Sequence, residues 1–190
     1  MSIEATHDFG ATWPSFVWDA TAVRDVGEAL RTSLVQRTFF EGLNVDDAPM
    51  KAYSTKPVVI YNKSETARRL KPKGGVPWKG RRGPMKGRTV GRFYEGGYAE
   101  YKEQSRKGLN SNSVEVDLIL SGQLSRSIAL TAVGKTGVTI SPRGAAVAYA
   151  GATHDKRNWW GISQRNFADL QAALPAIIGG AIQRSLRGKQ

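Results

Sequence analysis

Apolar positions along this chain switch from a helical period to a strand period and back, and the switches mark out its elements. From Thr21, the residues Val23, Val26, Leu30 and Leu34 recur at i, i+3, i+7 and i+11, while Arg24, Asp25, Glu28 and Arg31 fall off that stripe. This is one face of an amphipathic helix, predicted to run to about Thr38 and to stop at Gly42 and the Asp46-Asp47-Ala48-Pro49 run. Lys56 to Tyr61 is short and β-branched and reads as a strand. Tyr98 to Lys107 reads as a short helix closed by Gly108. The period then becomes two. Val114, Val116, Leu118 and Leu120 share a face, Ile128, Leu130 and Ala132 repeat the pattern, and Val138 and Ile140 repeat it again, with Gly134 to Gly137 as a hairpin turn. Gly144 to Gly151 is small and apolar, and at that length helix and buried strand stay open. A polar loop from Thr153 to Asn158 and a Trp159-Trp160-Gly161 corner lead to Ser163, a helix N-cap. The helix carries Phe167, Leu170 and Leu174, is kinked or split at Pro175, and resumes through Ile177, Ile178, Ile182 and Leu186.

The predicted fold class is therefore α+β: a small antiparallel β-sheet packed with an N-terminal and a C-terminal helix. A chain of 190 residues fits one domain over 1–190. Two segments stand apart from that core. Residues 1–20 are aromatic-rich (His7, Phe9, Trp13, Pro14, Phe16, Trp18) without either period, and read as an arm that packs on the chain itself or on a neighbour. Residues 62–97 read as a loop insertion, because Pro72, Gly74, Gly75, Pro77, Gly80, Gly83, Pro84, Gly87 and Gly91 crowd its centre.

Charge singles out the same insertion. The chain carries a net +12, and Lys63, Arg68, Arg69, Lys71, Lys73, Lys79, Arg81, Arg82, Lys86, Arg88 and Arg92 are opposed only by Glu65, a local excess of +10. Such a segment calls for an anionic partner. With Trp78, Phe93 and Tyr94 interleaved, it suits phosphates and stacked bases or, equally, an acidic protein neighbour. Trp159 and Trp160 read either as core anchors or, with Trp13 and Trp18, as candidate subunit-interface residues.

Reactive chemistry is thinly represented. No cysteine is present, which removes disulfides, thiol nucleophiles and Cys-based zinc sites. His7 and His154 are the only histidines, and His154-Asp155 in a polar context reads as a surface pair. The Gly-rich segment lacks the spacing of a phosphate-binding P-loop, since Gly80 is followed by Gly83, Met85 and Lys86. Asp46-Asp47 fits a turn. The opening residues lack the basic and apolar regions of a secretory signal. The longest apolar run, Leu174 to Ile182, is half of the roughly 18 residues a membrane helix needs. The expectation is a protein that is not an enzyme, with no catalytic, cofactor-binding or metal-binding residues and no membrane partner.

Four segments in order carry a family resemblance. Val116 to Ile128, with Leu118, Ser121-Gly122, Leu124 and Ser127-Ile128, resembles the L-x-x-(S/T)-G-x-L-x-x-S-I signature of bacteriophage neck and tail-completion proteins. Val147-Ala148-Tyr149-Ala150 stands at the family's YA-x-x-(H)-x-x-G stretch. Arg157 to Ser163 is similar to its R-P-F-x-G-(I/L)-S segment, with Asn158 in place of proline, and Gly97 to Lys102 is similar to the aromatic-basic stretch before the signature. The likeness spans residues 56–174. It implies a structural virion protein, assembled in the host cytoplasm, that forms a homo-oligomeric ring, a hexamer or dodecamer, in the neck around the DNA channel. Its partners would be a head-side connector or adaptor, tail-side proteins and, nonspecifically, packaged DNA. The alternative is a nonspecific nucleic-acid-binding protein acting through residues 63–92.

Overall fold

A computed structural model describes residues 5–8, 19–106, 123–135 and 137–187. The expected strand over 114–120 and the indoles of Trp13 and Trp18 lie outside them. The described chain is α+β, and it divides into two compact units: Met1–Met50 with Gln123–Gln190, and Lys51–Gly122.

The first unit is built around β1 (Ala5–Asp8), α1 (Ala20–Val35), α4 (Gln123–Ser127), β5 (Ile128–Val133), β6 (Gly137–Pro142), α5 (Ala146–Arg157) and α6 (Gln164–Arg187). Its sheet has the order β1-β6-β5 and is antiparallel throughout, with His7 paired to Val138 and Leu130 to Ile140. Part of the expected arm is thus the edge strand β1. Helix α1 packs on β5 and β6 and also on α6, so it is the middle layer, and the stripe read from sequence is its core: Val23, Val26, Leu30 and Leu34 are all buried. Gly27 lets α1 approach the sheet. A Cβ there would stand 2.4 Å from a Leu130 methyl and 3.0 Å from Val138 Cγ1. Beyond Val35 the helix loosens into a π-helical turn, Gln36–Phe40, with Glu41 N–H donating to the Gln36 carbonyl. Within this turn the consecutive residues Arg37, Thr38 and Phe39 are all buried.

Asp19 caps α1, its carboxylate accepting from Ala22 N–H at 2.6 Å. That bond, against the opposing effect of burial and with help from the nearby Arg184 guanidinium, holds the carboxyl below its ordinary range. A carboxyl depressed in the folded state stabilises above its unfolded value and loses that contribution as pH falls through its folded value. Asp19→Ala is expected to cost about 1 kcal/mol at neutral pH. Asp19→Asn, which keeps a capping oxygen, is expected to cost less and to flatten the stability profile below the ordinary carboxylate range. Urea midpoints of the three proteins at pH 7 and pH 3 check this.

Two sequence expectations change in this unit. Thr153 to Arg157 is the last part of α5 and not a loop, and the helix ends on Asn158 in the left-handed conformation at φ 44°. Proline, whose ring fixes φ near −65°, cannot take that conformation, whereas asparagine tolerates it. Pro175 does not split α6, which runs for 24 residues through it. Leu170 before the proline and Ala181 after it are both buried, and packing of α6 on α1 outweighs the roughly 3 kcal/mol a mid-helix proline costs.

The second unit contains β2 (Val58–Tyr61), α2 (Glu65–Arg69), β3 (Val76–Lys79), β4 (Thr89–Tyr94) and α3 (Gly97–Arg106). The segment 62–97, expected as a loop, therefore holds two strands and a short helix. Its breakers sit where they do no harm. Pro77 lies on the edge strand of the β2-β4-β3 sheet, where a missing ladder donor is tolerated, and Gly74, Gly75, Gly83 and Gly87 occupy turns at positive φ. An apolar cluster of Ile60, Ala67, Leu70, Tyr94 and Tyr101, with Val58 and Tyr98 against it, gives this unit its own core. Tyr94 hydroxyl donates to the Lys73 carbonyl at 2.8 Å and Tyr101 hydroxyl to the Leu70 carbonyl at 2.6 Å. Burial raises the pKa of both phenols.

Candidate functional site

The β2-β4-β3 sheet has two unlike faces, and its register decides which residue lies on which. Ile60, Arg92 and Pro77 form one rank across the three strands, and Val58 pairs with Tyr94. This face is turned to the core, since Ile60 and Tyr94 are buried. Val59, Phe93 and Val76 form the rank on one side of the Ile60 rank, and Tyr61, Gly91 and Trp78 the rank on the other. Pleating puts these two ranks together on the opposite face. That face is open: Tyr61 is 51% and Val76 64% exposed, and Val59, Trp78 and Phe93 are half-buried. Trp78 and Phe93 rings lie 5.9 Å apart, tilted by 32°. At Gly91 a Cβ would come 2.6 Å from the Ile60 carbonyl oxygen, so the strand crossing between Tyr61 and Trp78 requires glycine.

Cations gather at one end of this sheet. Strands β2 and β3 finish, and β4 begins, at the same end, because β4 is antiparallel to both. Lys63 follows β2, Lys79 closes β3, and Arg81, Arg82, Lys86 and Arg88 lie in the β3-β4 connection. That connection is a hydrogen-bonded knuckle: Lys86 N–H donates to Gly83 O, Gly87 N–H to Gly80 O, and Gly80 N–H to Arg88 O. The Arg81 guanidinium sits 5.2 Å from the Trp78 ring centroid.

Of the eleven cations expected to face DNA or a partner, Lys63, Arg68, Lys71, Lys73, Lys79, Arg81, Arg82, Lys86 and Arg88 are exposed. Arg69 is the last residue of α2. Arg92 is different. It is half-buried and donates to the Gly74 and Gly75 carbonyls at 2.5 and 3.4 Å, so it fastens the turn before β3. Tyr94, expected to be available for stacking, is fully buried on the core face, and Tyr61, which was not singled out, takes its place. Strand alternation carried that signal, since Tyr61 is two residues from Val59 and out of phase with Ile60.

The first unit corrects the candidate interface. Trp159 is 0% and Trp160 7% exposed. Trp159 stands edge-on to Phe39 at 5.6 Å and to Trp160 at 5.0 Å. Both indoles are core anchors and offer no surface to another subunit. Beneath the same corner Arg37, 1% exposed, donates to Asn166 Oδ1 at 2.5 Å, to the Trp159 carbonyl at 2.8 Å and to the Gly161 carbonyl at 3.1 Å. Asn166 Nδ2 donates in turn to Ser33 Oγ, which donates to Asp169. Burial lowers the Arg37 pKa, and the charges of Asp47 and Asp46 work against that.

His154 belongs to this corner too. Its Nδ1 accepts from Trp160 N–H at 3.3 Å and its carbonyl accepts from Asn158 N–H, a capping arrangement at the end of α5. Asp46 and Asp47 form the turn expected of them: Asp46 N–H and Ala48 N–H both donate to Asn44 Oδ1, and Asp47 takes φ 58°. Among the described residues, no group of three or more His, Cys, Asp or Glu side chains is placed to hold a metal ion, and no helix is long and apolar enough to cross a membrane.

A final surface lies on α6. Phe167, Ile182 and Leu186 are 42%, 43% and 64% exposed, and Leu174 and Ile178 between them are half-buried. At i, i+7, i+11, i+15 and i+19 these five form a second apolar stripe, beside the one that meets α1 through Asn166, Leu170 and Ala181. No family model, no curated protein and no solved structure matches this chain.

Proposed function

We propose that this protein is a structural subunit of a tailed-phage neck, assembling into a ring at the head-tail junction around the DNA channel, as a tail-completion or head-tail connection component. The observation that carries the reading is the apolar stripe of α6. A subunit that leaves Ile182 and Leu186 exposed on one helix, in line with half-buried Leu174 and Ile178, has an apolar stripe of the kind that meets another protein. Head-to-tail contacts that close on rotation turn one such patch into a ring without any catalytic residue. The resemblance supports the same reading in another way. Leu124 and Ile128 of the signature are buried, Trp159 is a core anchor, and Ser163 caps α6 by accepting from Asn166 N–H, so its motif residues serve to build a unit and not to line a reactive cleft. The exposed cations would face the DNA in the lumen or an acidic neighbour.

Light scattering on the purified protein tests this. A salt-tolerant hexamer or dodecamer is expected, and replacing Ile182 and Leu186 by glutamate is expected to reduce it to monomer with an unchanged circular dichroism spectrum. A wild-type monomer at high concentration, together with absence from purified virions, would sink the ring. A second reading, nonspecific nucleic-acid binding outside a virion, is favoured by the nine exposed cations, and a monomer whose mass shifts only when DNA is added would support it.

A further inference from the structure

We infer that the open face of the β2-β4-β3 sheet is a binding surface for single-stranded nucleic acid, with unpaired bases stacking on Tyr61, Trp78 and Phe93 and phosphates held by the basic knuckle. This narrows the nucleic-acid reading of the basic segment to one ligand class and does not depend on the ring.

The argument starts from what duplex contact alone would need. Phosphates of a duplex ask for cations at the right spacing and are indifferent to aromatic rings, because paired bases are stacked on one another. Here three aromatic side chains share a sheet face, in the two ranks that flank Ile60, Arg92 and Pro77. The most exposed of them, Tyr61 at 51%, is a large ring on a surface where isolated burial would have favoured a smaller polar residue. Cations and rings are also contiguous: Arg81 lies over Trp78, Lys63 is two residues beyond Tyr61, and Lys79 directly follows Trp78. Charge complementarity singles out a polyanion, since Glu65 is the only carboxylate between Lys63 and Arg92. Aromatic platforms edged by cations bind single strands with little sequence preference, because every base has a π-face. The knuckle's backbone hydrogen bonds fix the backbone that carries these cations before the ligand arrives, which lowers the backbone entropy lost on binding.

Fluorescence anisotropy of the full chain with a labelled oligothymidine and with a duplex of equal length, each titrated at several salt concentrations, tests the inference. The single strand is expected to bind at least about tenfold more tightly than the duplex at matched salt. Tyr61→Ala is expected to weaken single-strand binding about fivefold or more, Tyr61→Phe to restore it, and neither to change the salt slope. Replacing Arg81, Arg82 and Arg88 together by glutamine is expected to make that slope shallower by about 2, at roughly 0.7 per phosphate contact. Equal affinity for both ligands with Tyr61→Ala silent overturns the stacking surface while leaving nonspecific phosphate contact standing. Absence of binding to either ligand overturns both.

Discussion

Arg37→Met is expected to lower the stability of the first unit by about 3 kcal/mol, a large part of what a domain this size possesses. The guanidinium is buried and its three strongest bonds go to neutral oxygens, on Asn166, Trp159 and Gly161. Removing it returns the cost of keeping a cation out of water, which favours the variant. It also strands two backbone carbonyls at about 1–3 kcal/mol each, and Asn166 Oδ1 keeps only its bonds from Ser163 N–H and Oγ–H. The stranded carbonyls outweigh the relieved charge because Asp46 and Asp47 already offset part of that charge in the wild type. Lysine is expected to rescue less than half of the loss, since one ammonium cannot span acceptors arranged for a planar fork. The check is a shift of the urea midpoint by about 1.5 M at unchanged m, taking m near 2 kcal/mol/M. An unchanged midpoint would show that water replaces the guanidinium.

Trp159→Ala is expected to cost about 3–5 kcal/mol by cavity formation. Its ring is fully buried and packs edge-on against both Phe39 and Trp160, so its loss leaves a cavity among them. Trp159→Phe separates volume from hydrogen bonding: the Trp159 indole N–H has no hydrogen-bond partner among the described residues, so phenylalanine sacrifices packing alone, about 1–2 kcal/mol. Thermal melts read by near-ultraviolet circular dichroism check both. If Trp159→Ala melted like the wild type but failed to oligomerise, the indole would be an interface residue after all.

These two residues also show where sequence was legible and where it was not. Helical period assigned α1, and continuing its stripe from Leu34 by three residues lands on Arg37, so the burial of that position was readable, but not the carbonyls that would make a charge tolerable there. Those come from a corner more than a hundred residues away in sequence. The strand pair β5-β6 was readable from alternation as far as Leu130, beyond which a bulge pairs Ala132 with Thr139 and Val133 with Val138, so that exposed Ala132 leaves the face expected of it. The segment 62–97 misled because the density of Gly and Pro was taken to exclude strands. An edge strand accepts Pro77, and a hairpin with a tight knuckle consumes glycines in its turns. Of the two outcomes expected at Pro175, a kink or a split, the split does not occur, because α6 runs unbroken through the proline. Of the candidate site, the cations were legible as composition. Their gathering at one sheet end was not, because that follows from the antiparallel register of β4 between two strands it pairs with. The exchange of Tyr94 for Tyr61 on the open face follows from the same register.

The interleaving of the two units along the chain has a consequence for synthesis. The first unit is discontinuous, closed only when residues after Gln123 join Met1–Met50, whereas the second is contiguous from Lys51 to Gly122. A ribosome working at about 5–20 residues per second therefore holds α1 for roughly 5–21 seconds before β5 and β6, which end at Pro142, exist to cover it. During that interval Val23, Val26, Leu30 and Leu34 have no sheet to pack on, while Ile60, Tyr94 and Tyr101 already have one another. The nascent chain is thus led to fold from its middle outward, and β1 and α1, the first segments made, wait for partners that come after the whole second unit.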